Sequence, residues 1–333
     1  MLNKLYVQTK LFIKENYKFL LLLIILFFVF TFELPYYIDT PGGLIDVSER
    51  LDVEDGCEIN GSLNLAYISE FKATIPTLIM AYFNDDWDII KKEEVIATNE
   101  TIEENNYRNH LLLEEANQNA IMVAFDKAGL DYEIKNRQVN IIYIYENADT
   151  DLKIGDTITE INGIKITSKE DALNVIKENE QLSLKVINNG VEYTRYANKV
   201  TIDGEQLIGI MVSETKEVIP SKDVSINFKK SESGPSGGFM MSLSIYDYLT
   251  MEDLTKGLKI VGTGTIDEFG NVGVIGGIEY KIKAAVKEKA DLFFVPTDNY
   301  EEALKTINEE NLDIKLVEVK HIDDAINYLR NLS

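Results

Sequence analysis

The sequence predicts a multidomain α/β (α+β) protein with an N-terminal transmembrane helix, and three observations predict it. Phe19 to Phe32 reads FLLLLIILFFVFTF, fourteen residues without a charge. Residues 139–193 alternate short apolar strands with tight turns and one helix. Beyond residue 201, alternating strands lead into a glycine-flanked turn and an amphipathic helix. The expected division is a tail and anchor at 1–36, a mixed β/α region at 37–117, a compact unit at 118–200 and a larger domain at 201–333. Domains of roughly 100–200 residues make such a division natural for this length.

Composition narrows the chemistry. Lys plus Arg is 33 and Asp plus Glu is 56, a formal charge of −23. So acidic a chain is a poor binder of phosphate backbones, and nucleic acid is not an expected partner. One cysteine, Cys57, excludes a disulfide framework, a CxxC redox pair and a cysteine-rich zinc site. The two histidines, His110 and His321, have no neighbouring histidine at metal-ligand spacing. No G-x-x-x-x-G-K-[ST] occurs, so the sequence has no P-loop. No cofactor and no metal are expected.

The first element is the apolar run. A membrane span takes ~20 residues, so Phe19–Phe32 is short. Its flanks are expected to lengthen it: Lys18 can snorkel outward, and Leu34, Pro35, Tyr36 and Tyr37 resume apolar and interfacial character after Glu33. A cleaved signal peptide is the rival reading, but no small-x-small cleavage site follows. Lys4, Lys10, Lys14 and Lys18 precede the run, and Glu33 and Asp39 follow it. The positive-inside rule then places the N-terminus in the cytoplasm and the rest outside, in a single-pass cell-membrane protein.

The elements after the anchor follow from local pattern. Thr40-Pro41-Gly42-Gly43 reads as a turn and Leu63–Ile68 as a strand. Residues 97–109 are polar and read as a loop or a helix entrance; a helix runs from Leu111 to about Lys127 and stops at Gly129. Val139–Tyr145 is a strand. Leu152–Ile166 (LKIGDTITEINGIKI) holds a turn at Gly155-Asp156, a strand, an Asn162-Gly163 hairpin and a short strand. Thr167 and Glu170 have capping-box spacing for a helix over Ser168–Glu178, and Leu182–Tyr193 is a hairpin. This unit resembles a PDZ domain: bacterial protease PDZ domains carry an L-x-x-G-D-x-I-x-x-I-[ND]-G run. The plainer alternative is a small α/β domain without a peptide groove.

The last domain carries the candidate chemistry. Gly234-Pro235-Ser236-Gly237-Gly238 places a serine directly before a helix, where N–H groups converge on an anion as an oxyanion hole requires. Most serines in such turns are caps. A serine nucleophile needs a base, and neither histidine lies in a recognisable triad motif. From Gly276, GGIEYKIKAAVKEKA reads as a helix with Ile278, Ile282 and Ala285 as its apolar stripe. Lys281 falls on the rim of that stripe, where partial desolvation favours the neutral amine; a snorkelling lysine is the bland alternative.

Taken together, GPSGG, VGTGTIDEFGNVGVIGG, IEYKIKAA and DLFFVP resemble the proteolytic domain of Lon-type Ser-Lys proteases. That pattern is a P-S-[AG]-G serine turn, a T-G hairpin, a G-x-V-x-x-I-G-G turn, and a lysine four residues after the second glycine. With the anchor and the PDZ-like unit, the whole chain resembles the membrane-anchored PDZ–Lon proteases of Gram-positive bacteria (YlbL type). Two departures stand out: Gly262 replaces a bulkier residue before Thr-Gly, and Ser231-Glu232-Ser233 stands where Lon proteases have Lys-Asp. The resemblance implies that Ser236 is the nucleophile and Lys281 its base. It implies that Gly237 lies in the oxyanion site and that Thr263 orients Lys281, a plain hairpin threonine being the alternative. It implies an ATP-independent serine endopeptidase acting on secreted peptides, unfolded proteins or extracytoplasmic segments, with the PDZ-like unit recognising substrate. A homo-oligomer is compatible with the sequence. The second reading is a catalytically inactive Lon-fold scaffold that binds partners through the PDZ-like unit. Retention of both Ser236 and Lys281 in motif context favours the enzyme.

Overall fold

The computed structural model describes residues 2–56, 59–97, 100–202 and 204–332, with side chains from Leu5 onward. Cys57 lies outside the described residues. The chain forms two compact units, both discontinuous: residues 1–41 with 68–97, and residues 42–67 with 98–333.

The chain begins with helix α1 (Leu2–Thr31), followed by β1 (Tyr36–Asp46), β2 (Leu51–Val53), β3 (Ser62–Lys72), α2 (Ile75–Tyr82), β4 (Asp88–Lys91) and α3 (Lys92–Val95). The unit border falls within β1 and within β3. In the first unit, β1 pairs antiparallel with β4 from Tyr36↔Lys91 to Asp39↔Asp88. Ile38, Ala73 and Ala81 form its small core with Phe71, Leu78 and Trp87 packed around them.

The expected transmembrane span is corrected here. Helix α1 ends at Thr31, so Phe32–Tyr37 do not extend it, and its apolar part is only Phe19–Thr31. Thirteen residues at 1.5 Å each reach about 20 Å, against ~30 Å of hydrocarbon. Lys14, Glu15 and Lys18 interrupt any longer window. Among the described residues no helix is long and apolar enough to cross a membrane.

The second unit opens with α4 (Ile102–Ala128). Its N-terminus is set by a reciprocal capping box between Thr101 and Glu104, and its end by Gly129 at φ 68°. Next come β5 (Tyr132–Ile144), β6 (Asp149–Thr150), β7 (Thr157–Ile161), β8 (Ile164–Lys165), α5 (Lys169–Glu178), β9 (Gln181–Asn188), β10 (Val191–Asn198), β11 (Val200–Ile202), β12 (Glu205–Leu207) and β13 (Ile210–Pro220). Apart from β11 and β12, which pair with each other, these strands make an antiparallel sheet ordered β13-β5-β7-β9-β10-β6, with β8 beside β7. Val139, Ile141, Ile158, Ile161, Leu184 and Val186 give it a core of its own, closed by Ala172 of α5.

The remaining elements are β14 (Val224–Ile226), α6 (Gly238–Thr250), β15 (Lys259–Gly262), β16 (Thr265–Ile266), β17 (Val272–Gly273), α7 (Ile278–Lys287), β18 (Leu292–Pro296), α8 (Tyr300–Glu310), β19 (Lys315–Val319) and α9 (Ile322–Arg330). Strands β19, β18, β15 and β3 run parallel in that order. Such a sheet is covered on both faces, and the period-2 alternation shows it. Leu63, Leu65, Ile260, Leu292 and Phe294 face one core with α4, α6 and α9. Ala66, Val261, Phe293 and Val295 face the other with α7 and α8.

The structure therefore cuts the chain differently from the expected borders at 36, 117 and 200. The second half of α4, from Ala120 to Phe125, is buried in the same core as Phe239 and Met240 of α6. Strand β3 supplies a neighbour to β15. The C-terminal α/β layer is completed by segments that precede the antiparallel β5–β13 sheet in sequence.

Candidate active site

Ser236 lies in the turn before α6, half-buried, with Gly237 as the helix N-cap. The turn is fixed through the Ser236 carbonyl, which accepts from Gly264 N–H at 2.8 Å and from Thr263 Oγ1 at 3.2 Å. Phe239 N–H donates back to Gly264 O at 3.1 Å, so the turn and the strand end after β15 are laced together. Gly237 and Gly238 are closely packed: a Cβ on Gly237 would press on Leu65 Cδ1 at 3.2 Å, and one on Gly238 would meet Ile266 Cγ2 at 2.8 Å, so that something there would have to shift. Gly238 N–H donates to Pro235 O, whereas among the described residues the N–H groups of Ser236 and Gly237 donate to no protein acceptor. Unspent N–H groups at a helix N-terminus are what an oxyanion needs.

Lys281 projects from the first turn of α7 and is 3% exposed. Its Nζ donates to Thr263 Oγ1 at 3.1 Å, and Thr263 is fully buried. Ser236, Thr263 and Lys281, expected from motif alone, are thus brought into one hydrogen-bonded chain. The single Thr263 hydroxyl accepts from Lys281 and donates to the Ser236 carbonyl. Burial pushes the Lys281 ammonium down to about 8, with the nearby Glu279 carboxylate opposing the fall. The lysine is deeper than the helical wheel implies: its Nζ reaches the fully buried Thr263 just after the interior strand β15. Among the described residues Lys281 Nζ does not bond Ser236 Oγ.

The histidines are placed elsewhere. His110 is exposed on α4. His321 caps α9, its Nδ1 accepting from Asp323 N–H at 3.1 Å and its Nε2 lying 2.9 Å from Phe269 O. Among the described residues no group of three or more His, Cys, Asp or Glu side chains is arranged to hold a metal.

Three contributors escaped the sequence reading. Asn119 of α4, buried, donates from Nδ2 to Ile266 O at 3.1 Å and ties that helix to the hairpin following Thr263. Glu279 tempers the lysine from two residues away. Met240 explains Gly262: a Cβ there would meet Met240 Sδ at 2.5 Å and Phe294 Cβ at 3.1 Å. Only the last had a visible signal, the unusual glycine itself.

Residues 204–331 match the Lon protease (S16) C-terminal proteolytic domain. Similar proteins include a Lon protease of Campylobacter jejuni, 26% identical over 188 residues, covering 53% of this chain and 22% of that protein. The Lon protease of Ureaplasma parvum is 34% identical over 95 residues, 28% of this chain and 12% of that one. Lon protease 2 of Borreliella burgdorferi is 23% identical over 236 residues, 68% of this chain and 24% of that one. The matches span less than a quarter of the length of these relatives. The Ser236 turn and α7 both fall inside the segment that matches the Lon proteolytic domain, and that match supports a serine-type peptidase.

Proposed function

We propose that this chain is a serine endopeptidase that works without ATP, with Ser236 as nucleophile and Lys281 as general base. The observation that carries the reading is the desolvated Lys281, hydrogen-bonded through Thr263 to the turn that holds Ser236. Neutral Lys281 takes the proton from Ser236 Oγ as that oxygen bonds to the scissile carbonyl carbon. The ammonium then returns the proton to the departing amine, and water hydrolyses the acyl-enzyme by the same route. The N–H groups of Ser236 and Gly237 hold the oxyanion. Thr263 keeps the amine near the turn when it is not engaged.

The substrates we propose are secreted peptides and unfolded or extracytoplasmic protein segments, presented by the PDZ-like sheet and α5. We also propose that the protein is held at the cell membrane by the apolar surface of α1 lying against lipid, with the catalytic unit on the extracytoplasmic side. The basic residues before Phe19 and the apolar side chains exposed around α1, from Phe19 to Phe30, support that placement.

The test is cleavage of casein without ATP or metal by wild type, Ser236→Ala and Lys281→Met. Each variant is expected to lose about 10³-fold or more in rate, and the double variant no more than either single one, because the two groups act as a unit. Wild-type activity retained in Lys281→Met would overturn the dyad. Equal inactivity of all three across many substrates would favour a scaffold.

A further inference from the structure

We propose that Arg50 is a positioning residue for the Ser236 turn, acting through Glu232. This rests on the reading of Ser236 as nucleophile, and it gives a role to the lead-in where the chain departs from the Lon pattern.

Arg50 follows a short 3-10 turn and precedes β2; only 7% of it is exposed. Its backbone and side chain hold the same segment at two points. Strand β2 pairs with β14 up to Leu51↔Ile226, and the Arg50 carbonyl then accepts from Asn227 N–H at 2.7 Å. The guanidinium reaches Glu232 with two parallel bonds, Nη2 to Oε1 at 2.8 Å and Nε to Oε2 at 3.0 Å. Nη1 is spent on Glu49, at 3.2 Å to its carbonyl and 3.1 Å to its carboxylate. Glu232 also accepts from Lys229 N–H at 2.8 Å, while its own N–H donates to Lys229 O at 2.9 Å. Residues 227–232 are thereby a closed turn fastened at both ends to one arginine. A planar fork on a carboxylate fixes direction as well as distance, which a lysine would not. These bonds also hold the Glu232 carboxyl below the usual carboxylate range, so the pair stays ionised.

Only Ser233, Gly234 and Pro235 separate Glu232 from Ser236. Gly234, at φ 88°, donates to Asn109 O at 3.4 Å, a long bond and a weak restraint. Downstream, the Ser236 carbonyl is held by Thr263 and Gly264. The Arg50 fork is the strong restraint on the upstream side. The same segment, from Phe228 to Ser233, walls a cavity of about 920 Å³ whose opposite side is α4 at Asn109, Leu113 and Ile121. Loss of the fork would therefore let the nucleophile turn drift without removing any group that touches the reacting atoms. Misplacement by about 1 Å costs up to ~10²-fold in rate.

The experiment compares wild type, Arg50→Ala, Glu232→Gln and Ser236→Ala as full-length protein. Three readouts are used: Ser236 labelling by a fluorophosphonate per folded molecule, kcat and KM on a casein-derived peptide, and amide exchange of residues 233–238. Glu232→Gln keeps shape and an acceptor oxygen, so it folds even where Arg50→Ala does not. In both variants labelling and kcat are expected to fall about tenfold to a hundredfold, with KM changed less than about threefold. Exchange at Gly238, bonded to Pro235 O, is expected to quicken about tenfold. Methylguanidinium in solution is expected to restore labelling of Arg50→Ala, a rescue that a general loss of packing would not allow. Folded Glu232→Gln that labels and exchanges like wild type overturns the proposal. If wild type and Ser236→Ala label equally, the nucleophile reading fails instead, and the exchange data alone decide whether Arg50 holds the turn.

Discussion

Lys281 is a charged side-chain type held where charge is costly, and that conflict gives the site its pH dependence. Burial lowers its pKa from the ordinary 10.5 to about 8. With the neutral amine as the proposed base, activity is expected to rise with pH through about 8 and level off above it. The stability sign runs the same way. Between about 8 and 10.5 the unfolded chain binds the lysine proton and the folded chain does not, so this residue adds stability as pH rises across that window. In Lys281→Met, melting temperature is expected to lose that slope and to exceed wild type at pH 7. A pH–rate profile for labelling of Ser236 checks the first claim, and a flat profile from pH 6 to 9.5 would contradict it. At this scale the sequence was informative, because Ser236 and Lys281 sit in short glycine-marked runs: Gly238 packs closely on Ile266 and Gly277 takes a left-handed φ of 62° at the start of α7. The burial of Lys281 was not legible: a helical wheel places a residue on a face, but not what covers that face. Arg50 was equally hidden, since its partner is 182 residues away.

Helix α4 shows why elements are harder to assign than residues. The pattern from Leu111 to Lys127 was apolar enough to read, but the helix begins at Ile102. Its first turns are polar and exposed, and the capping box at Thr101 and Glu104 was the only mark of their start. The parallel pairing of β3 with β15 left no mark at all, because parallel register is set by packing and not by a turn. Excising residues 118–200 would remove Ala120–Phe125 from the main core and is expected to unfold the protein, since losing even one buried Phe costs about 3–5 kcal/mol. A better border is where Tyr145 N–H meets Gly209 O at 2.8 Å. Replacing residues 146–208 by Asn-Gly, with Val139→Thr and Ile141→Thr to cover the exposed strand, should leave β5 and β13 paired through a tight hairpin. Thermal unfolding should stay cooperative, and cleavage of a short unstructured peptide should stay within about threefold of wild type. Cleavage of protein substrates should change in pattern. If the pattern is unchanged, the PDZ-like sheet does not recognise substrate.

For the whole molecule, every residue assigned to the chemistry lies in the second unit, from Arg50 to Lys281, while α1 belongs to the first. The apolar side chains of α1 are roughly half exposed on nearly every face, Phe27 at 63% and Phe30 at 62%. A helix apolar all round is not stable against water, and burial of such a surface in lipid is favoured by about 25 cal/mol per Å². A protein with a net charge of −23 is repelled by an anionic membrane surface, so the proposed attachment would have to come from this apolar contact. Chemistry and attachment should then separate cleanly. Deleting residues 2–32 is expected to move the protein from the membrane fraction to the soluble fraction. Its peptide-cleavage rate per folded molecule should stay within about twofold, because Ser236, Thr263 and Lys281 keep all their partners. External protease on intact cells should digest the second unit of the undeleted protein, as an extracytoplasmic catalytic unit requires. Recovery of the undeleted protein in the soluble fraction would refute membrane attachment. Protection of the second unit in intact cells would leave attachment standing and reverse the side of the membrane on which the chemistry takes place.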